Sequence, residues 1–168
     1  EHQRVVCVQL VPRLVYSLQQ RPMLTISRVI DHPEQVRRAL QKVLASPLLT
    51  NPNQTAQEDD LRGTAEIVLA EVLNNIVEHA YANQAGNISL RLVRHNGGLH
   101  CTVSDTGAPM PGLCLPEGQF QPLKDLADLP EGGFGWFLIR SLTEGLAYQR
   151  FKGLNRLSFQ LPAKQSDA

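Results

Sequence analysis

Residues 61–82 carry the longest helix-period pattern in the chain, and only one side of it is apolar. Leu69, Val72, Leu73, Ile76 and Ala80 recur at helical spacing and require a second layer to cover them. At about 100° per residue, Glu71, Asn74, Asn75 and Glu78 gather within roughly a third of a turn on the other side. Glu71 and Asn75 are four positions apart, so their side chains lie one above the other and can reach a common ligand. Alone, such a face is what a solvated helix surface looks like. Two clusters further along the chain change its meaning.

The elements around this helix suggest how it is covered. Residues 24–30 read as a strand, and Asp31, Pro33 and Glu34 mark the start of a helix that runs through Leu40 and Leu44 and stops before Pro47. Residues 46–60, rich in Pro, Asn, Thr and Gln, read as a connecting loop. Residues 88–92 and 99–103 alternate with period two, and Asn96-Gly97-Gly98 between them signals a hairpin. A stretch rich in Gly and Pro follows to Gly135, with a short turn at 123–129. Then come a helix at 136–142 and two strands at 146–151 and 157–161, joined through Lys152-Gly153-Leu154-Asn155. This order predicts a two-layer α/β sandwich with a largely antiparallel mixed sheet.

With 168 residues, 42% of them hydrophobic, the chain can bury one good core. Acidic and basic residues balance at 16 each, which argues against nucleic-acid and membrane-surface partners. No apolar run approaches the roughly 20 residues that span a bilayer. Cys7, Cys101 and Cys114 form no CxxC pair, so neither a disulfide framework nor a zinc site is indicated, and a cytoplasmic setting is expected. The domain is expected at 23–162, with 1–22 an appendage or linker and 163–168 a tail. The apolar run at 4–18 leaves open an oligomer contact such as a homodimer, a link to another domain, or ordinary packing.

Asp105 ends a strand that places Leu99, Cys101 and Val103 on one face, and Gly107 follows it. An aspartate there is either a turn former or an acceptor for the exocyclic amine of a purine, with Gly107 keeping the backbone clear of the flat base. Gly132-Gly133-Phe134-Gly135 opens a helix, where glycines permit close approach and free N–H groups attract anions. No Gly-Lys-Ser/Thr follows, so this is not a P-loop, and the strand-first context of a dinucleotide fold is missing. The loop 108–131 between the two clusters is long for a compact domain. Lys124 is its only basic residue, either a solvated loop lysine or a cover for a phosphate.

Together these clusters resemble the ATP-binding domain of the GHKL superfamily, shared by gyrase and histidine kinases. They are most similar to its bacterial anti-sigma-factor serine kinases of partner-switching systems. AEVLNNIVEHAY at 70–81 matches the first motif, with Glu-x-x-x-Asn at Glu71 and Asn75 and the His-Ala/Gly-Tyr ending at His79–Tyr81. Asp105–Gly107 matches the second motif, Gly133–Gly135 the third, and the hairpin with Gly153, Asn155 and Leu157 the last strand pair. The resemblance covers residues 24–161. It implies ATP and Mg²⁺ as cofactors, with Asn75 as metal ligand and Glu71 as the residue that orients or deprotonates the incoming hydroxyl. It also implies that Asp105 takes the adenine amine and that Gly133 and Gly135 let the lid close over the triphosphate. His79 is then a structural member of its motif.

The function implied is an ATP-dependent serine/threonine protein kinase that phosphorylates a STAS-type antagonist, an anti-anti-sigma-type protein, and so releases or engages a sigma factor or other regulator. Two other readings stand beside it. One is a non-catalytic nucleotide-binding module that sequesters a regulator, and the other is the catalytic domain of a histidine kinase.

Overall fold

A computed structural model describes residues 23–30, 33–50, 55–82, 84–118 and 134–163. Among them are five strands and three α-helices, in the order β1 (Met23–Ile30), α1 (Pro33–Leu44), α2 (Ala56–Asn75), β2 (Gly86–His95), β3 (Gly98–Asp105), α3 (Phe134–Leu142), β4 (Glu144–Phe151) and β5 (Leu154–Leu161). A π-helical turn, Ile76–Ala80, continues α2, and a 3₁₀ turn, Pro111–Leu113, follows β3. The strands form one sheet in the order β1-β2-β3-β5-β4, and every pairing is antiparallel. The two-layer α/β sandwich read from the sequence is the fold.

Strand alternation decides which side of the sheet is covered. Ile88, Leu90 and Leu92 on β2, Leu99, Cys101 and Val103 on β3, and Leu157, Phe159 and Leu161 on β5 are buried. They share one core with Val36, Leu40 and Val43 of α1, Val68, Leu69, Val72 and Leu73 of α2, and Ile139 of α3. Burial pushes the Cys101 thiol up to about 12, so it stays protonated and behaves as a small apolar residue. Asn96 and Gly97 take positive φ, 47° and 78°, the geometry of the tight β2–β3 hairpin turn.

Helix α2 begins five residues earlier than the sequence reading placed it, at Ala56 rather than 61. Thr55 and Glu58 form a capping box: Thr55 Oγ1 accepts from the Glu58 N–H at 3.4 Å, and Glu58 Oε2 accepts from the Thr55 N–H at 3.1 Å. Polar composition made 55–60 look like loop, but those polar residues are an exposed first turn. The other end also departs from a regular helix. The Tyr81 N–H bonds to Ile76 O at 3.0 Å, a five-residue closure that widens the last turn. Residues 1–22, the Asp31 cap, the 123–129 turn and the 164–168 tail lie outside the described residues. Among the described residues, no helix is long and apolar enough to cross a membrane.

Candidate functional site

The π-turn re-sorts the polar face of α2. Glu71, Asn74 and Asn75 are half-buried, whereas Glu78 is exposed. A regular helix would keep Glu78 in line with Glu71; the wider turn after Asn75 lets it fall behind. What remains together is Glu71 and Asn75, and α3 begins directly opposite them. A β-carbon built on Gly135 would stand 2.5 Å from Glu71 Oε2 and 3.6 Å from Asn75 Nδ2. Only glycine lets the start of α3 come so near that carboxylate.

Asp105, at the end of β3, is 6% exposed. Its Oδ1 accepts from the Gly107 N–H at 2.9 Å and from Asn155 Nδ2 at 2.7 Å. Burial raises the Asp105 carboxyl above its ordinary value, while Asn155, the Gly107 N–H and the Arg150 guanidinium pull it partway back. Gly107 is needed for a reason the sequence did not suggest. A β-carbon there would lie 2.6 Å from Ala80 O and 2.8 Å from Ala80 Cβ, so the turn packs on the end of the π-helical turn. The Ala108 N–H bonds Ala80 O at 2.7 Å and completes that junction.

Asn75 and Asp105 border the same cavity, about 390 Å³ in volume. Val72, Ile76, Met110, Trp136 and Leu157 supply apolar wall, and His79, exposed at the rim, also borders it. An apolar slot with few convergent polar groups, sized for a small organic ligand, is the usual form of a cofactor site. Glu71 stands one turn back along α2, against Gly135 rather than in the cavity wall.

The family description "Histidine kinase-like ATPase domain" matches residues 29–161. The chain belongs to that family. It is similar to the serine-protein kinase RsbW of Bacillus thuringiensis (strain Al Hakam), 29% identical over 94 residues, 55% of this chain and 59% of the relative. The serine-protein kinase RsbW of Bacillus anthracis matches to the same extent, 29% over 94 residues. The serine/threonine-protein kinase BtrW of Bordetella bronchiseptica is 36% identical over 104 residues, 58% of this chain and 68% of the relative. The chain thus spans about three-fifths of the length of the RsbW relatives it matches.

Membership in the histidine kinase-like ATPase family implies ATP as ligand, and the residues present fit it. Asn75 Nδ2 is buried without a hydrogen-bond partner, so the Asn75 amide is not engaged in holding the fold together. The other end of that amide is an oxygen, the donor type that Mg²⁺ takes. Asp105 offers a buried acceptor at the floor of an apolar slot, which suits the amine edge of a purine. Lys124 and Gly133 lie outside the described residues.

Three residues of this site were given no role by the motifs. Asn155 is 3% exposed, and its Nδ2 reaches Asp105 Oδ1 as well as the Ala108 carbonyl at 3.0 Å. Its Oδ1 accepts from Tyr148 Oη at 2.7 Å and from Arg150 at 2.5 Å. The Met110 N–H in turn bonds Tyr148 Oη at 3.1 Å, which ties the loop after β3 to β4. Strand alternation was the available signal, since it points Tyr148, Arg150 and Asn155 to the inner face. Arg140 of α3 makes its hydrogen bonds outside this network. Its Nε donates to Pro116 O at 2.7 Å and holds the loop backbone.

Proposed function

We propose that the chain is an ATP- and Mg²⁺-dependent serine/threonine protein kinase acting in the cytoplasm on a STAS-type antagonist. Phosphorylation would then release or engage a second partner such as a sigma factor. One observation carries the reading: Asn75 and Asp105 face a single cavity, and Glu71 stands on the same helix one turn from Asn75, against Gly135. In this reading Asp105 is the base-binding carboxylate, Asn75 the metal-binding amide and Glu71 the proton-accepting carboxylate. A module that only sequestered a regulator would have no use for Glu71 beside Asn75.

Asp105 accepts the amine of the base, and the apolar wall of Val72, Ile76 and Leu157 excludes water from it. Asn75 Oδ1 would hold the metal. Mg²⁺, when bound, supplies the charge neutralisation that phosphoryl transfer requires. Glu71 orients the serine or threonine hydroxyl and takes its proton at a carboxylate oxygen as the hydroxyl oxygen bonds to the γ-phosphorus, while the bond from that phosphorus to the β–γ bridging oxygen breaks and ADP leaves. Positioning and electrostatics do the catalysis, with little covalent work left for the protein. The role of Gly133 toward the phosphates rests on the sequence resemblance, and that of Lys124 on its being the only basic residue of the loop 108–131.

The test uses radiolabelled ATP, Mg²⁺ and a purified STAS-domain protein of the cognate system. Label should appear on a serine or threonine of that protein. Glu71→Ala should still bind ATP yet lose transfer by about 10²-fold or more, the scale of a missing general base. Transfer at the normal rate by Glu71→Ala would remove Glu71 from the mechanism. Label on a histidine instead would favour the histidine-kinase reading.

A further inference from the structure

Asp105, Asn155 and Arg150 occupy paired positions across three adjacent strands. The register sets Asp105 of β3 opposite Asn155 of β5, and Asn155 opposite Arg150 of β4. All three belong to the inner face, so the row runs from the cavity floor to the edge strand. Arg150 NH1 closes the row by donating both to Asn155 Oδ1 and to Gly107 O, the latter at 2.9 Å.

The partners leave the Asn155 amide only one orientation. Arg150 can only donate, so it must face the amide oxygen. Asp105 Oδ1 and the carbonyls of Gly107 and Ala108 can only accept, so they must face the amide nitrogen. Tyr148 adds a second donor on the oxygen side. Rotating the amide by half a turn would oppose donors to donors and acceptors to acceptors. Asn155 therefore always presents N–H to Asp105.

We propose that Asn155, held by Arg150, is a positioning residue that makes Asp105 select an amino-purine over an oxo-purine. Both hydrogen bonds to Asp105 fall on Oδ1, from Gly107 and Asn155, which leaves Oδ2 to meet the ligand. Two N–H donors on one oxygen favour the ionised carboxylate, which is acceptor-only. Burial works the other way and would favour the protonated acid, which could donate to a carbonyl. Asn155 thus tips Asp105 toward the form that takes an exocyclic amine and repels a 6-oxo group. The inference rests on the reading that the base binds at Asp105.

The experiment titrates the whole chain with ATP and with ITP, in which a carbonyl replaces the amine, for wild type, Asn155→Ala and Arg150→Met. Wild type should prefer ATP. Asn155→Ala should lose about tenfold or more of that preference, as expected for a bond to a charged group, and Arg150→Met should lose part of it. A merely structural role would weaken both nucleotides alike and leave the ratio unmoved. If Asn155→Ala melts like wild type and keeps the ATP-to-ITP ratio within about twofold, the proposal is overturned while the Asp105 reading stands. Should Asn155→Ala not fold, an unchanged ratio in Arg150→Met overturns it instead. A wild type that does not distinguish the two nucleotides removes the Asp105 reading, and this inference with it.

Discussion

Two glycines of the site are needed for different reasons, and their substitutions should separate accordingly. Around Gly107 a new β-carbon meets the backbone and Cβ of Ala80, which cannot move without disturbing the π-turn. Around Gly135 the nearest atom is Glu71 Oε2, the end of a flexible side chain. Gly135→Ala should therefore push the Glu71 carboxylate aside more than it strains the fold. We expect transfer to the protein substrate to fall by about tenfold or more, since a displacement near 1 Å can cost that much. ATP affinity and melting temperature should change far less. Calorimetric ATP titration beside a phosphotransfer assay checks this; equal losses of affinity and rate would point to a damaged pocket instead.

Helix α2 connects the two kinds of information in the chain, fold at its start and site at its end. Thr55 and Glu58 cap the first turn, and Glu58 Oε1 also meets Arg94 NH2 of β2 at 3.5 Å. Thr55→Ala removes one cap bond and should cost about 1 kcal/mol. That would appear as a lower melting temperature with nucleotide affinity unchanged, because the cap lies at the opposite end of the helix from Asn75. The elements were largely legible because their periods are clean: Leu69, Val72, Leu73 and Ile76 at helical spacing, Leu99, Cys101 and Val103 at strand spacing. The start of α2 was obscured by exposed polar residues, although the Thr55-x-x-Glu58 pair was there to be read. The π-turn was not legible, since nothing in Ile76–Ala80 distinguishes it from an ordinary helical turn. Asn75 and Asp105 stood out through short local motifs. Asn155, Tyr148 and Arg150 join the site through cross-strand register, which local motifs do not carry.

Among the described residues, three helices cover one face of the sheet, and the cavity opens where β3 ends beside the last turn of α2 and the start of α3. The fold thus brings three sequence-distant segments to one place: the first supplies Glu71 and Asn75, the second Asp105 and Gly107, the third Gly135. β4 and β5 brace the second segment through Arg150, Tyr148 and Asn155. We expect this junction to bind ATP with the base on Asp105 and the metal on Asn75. Calorimetric titration of ATP, with and without Mg²⁺, into wild type, Asp105→Ala and Asn75→Ala tests it most directly. Wild type should bind ATP more tightly with Mg²⁺, Asp105→Ala should lose about tenfold or more of its affinity in either condition, and Asn75→Ala should lose the Mg²⁺ enhancement. Wild-type affinity in Asp105→Ala, together with an undiminished Mg²⁺ effect in Asn75→Ala, would contradict the account.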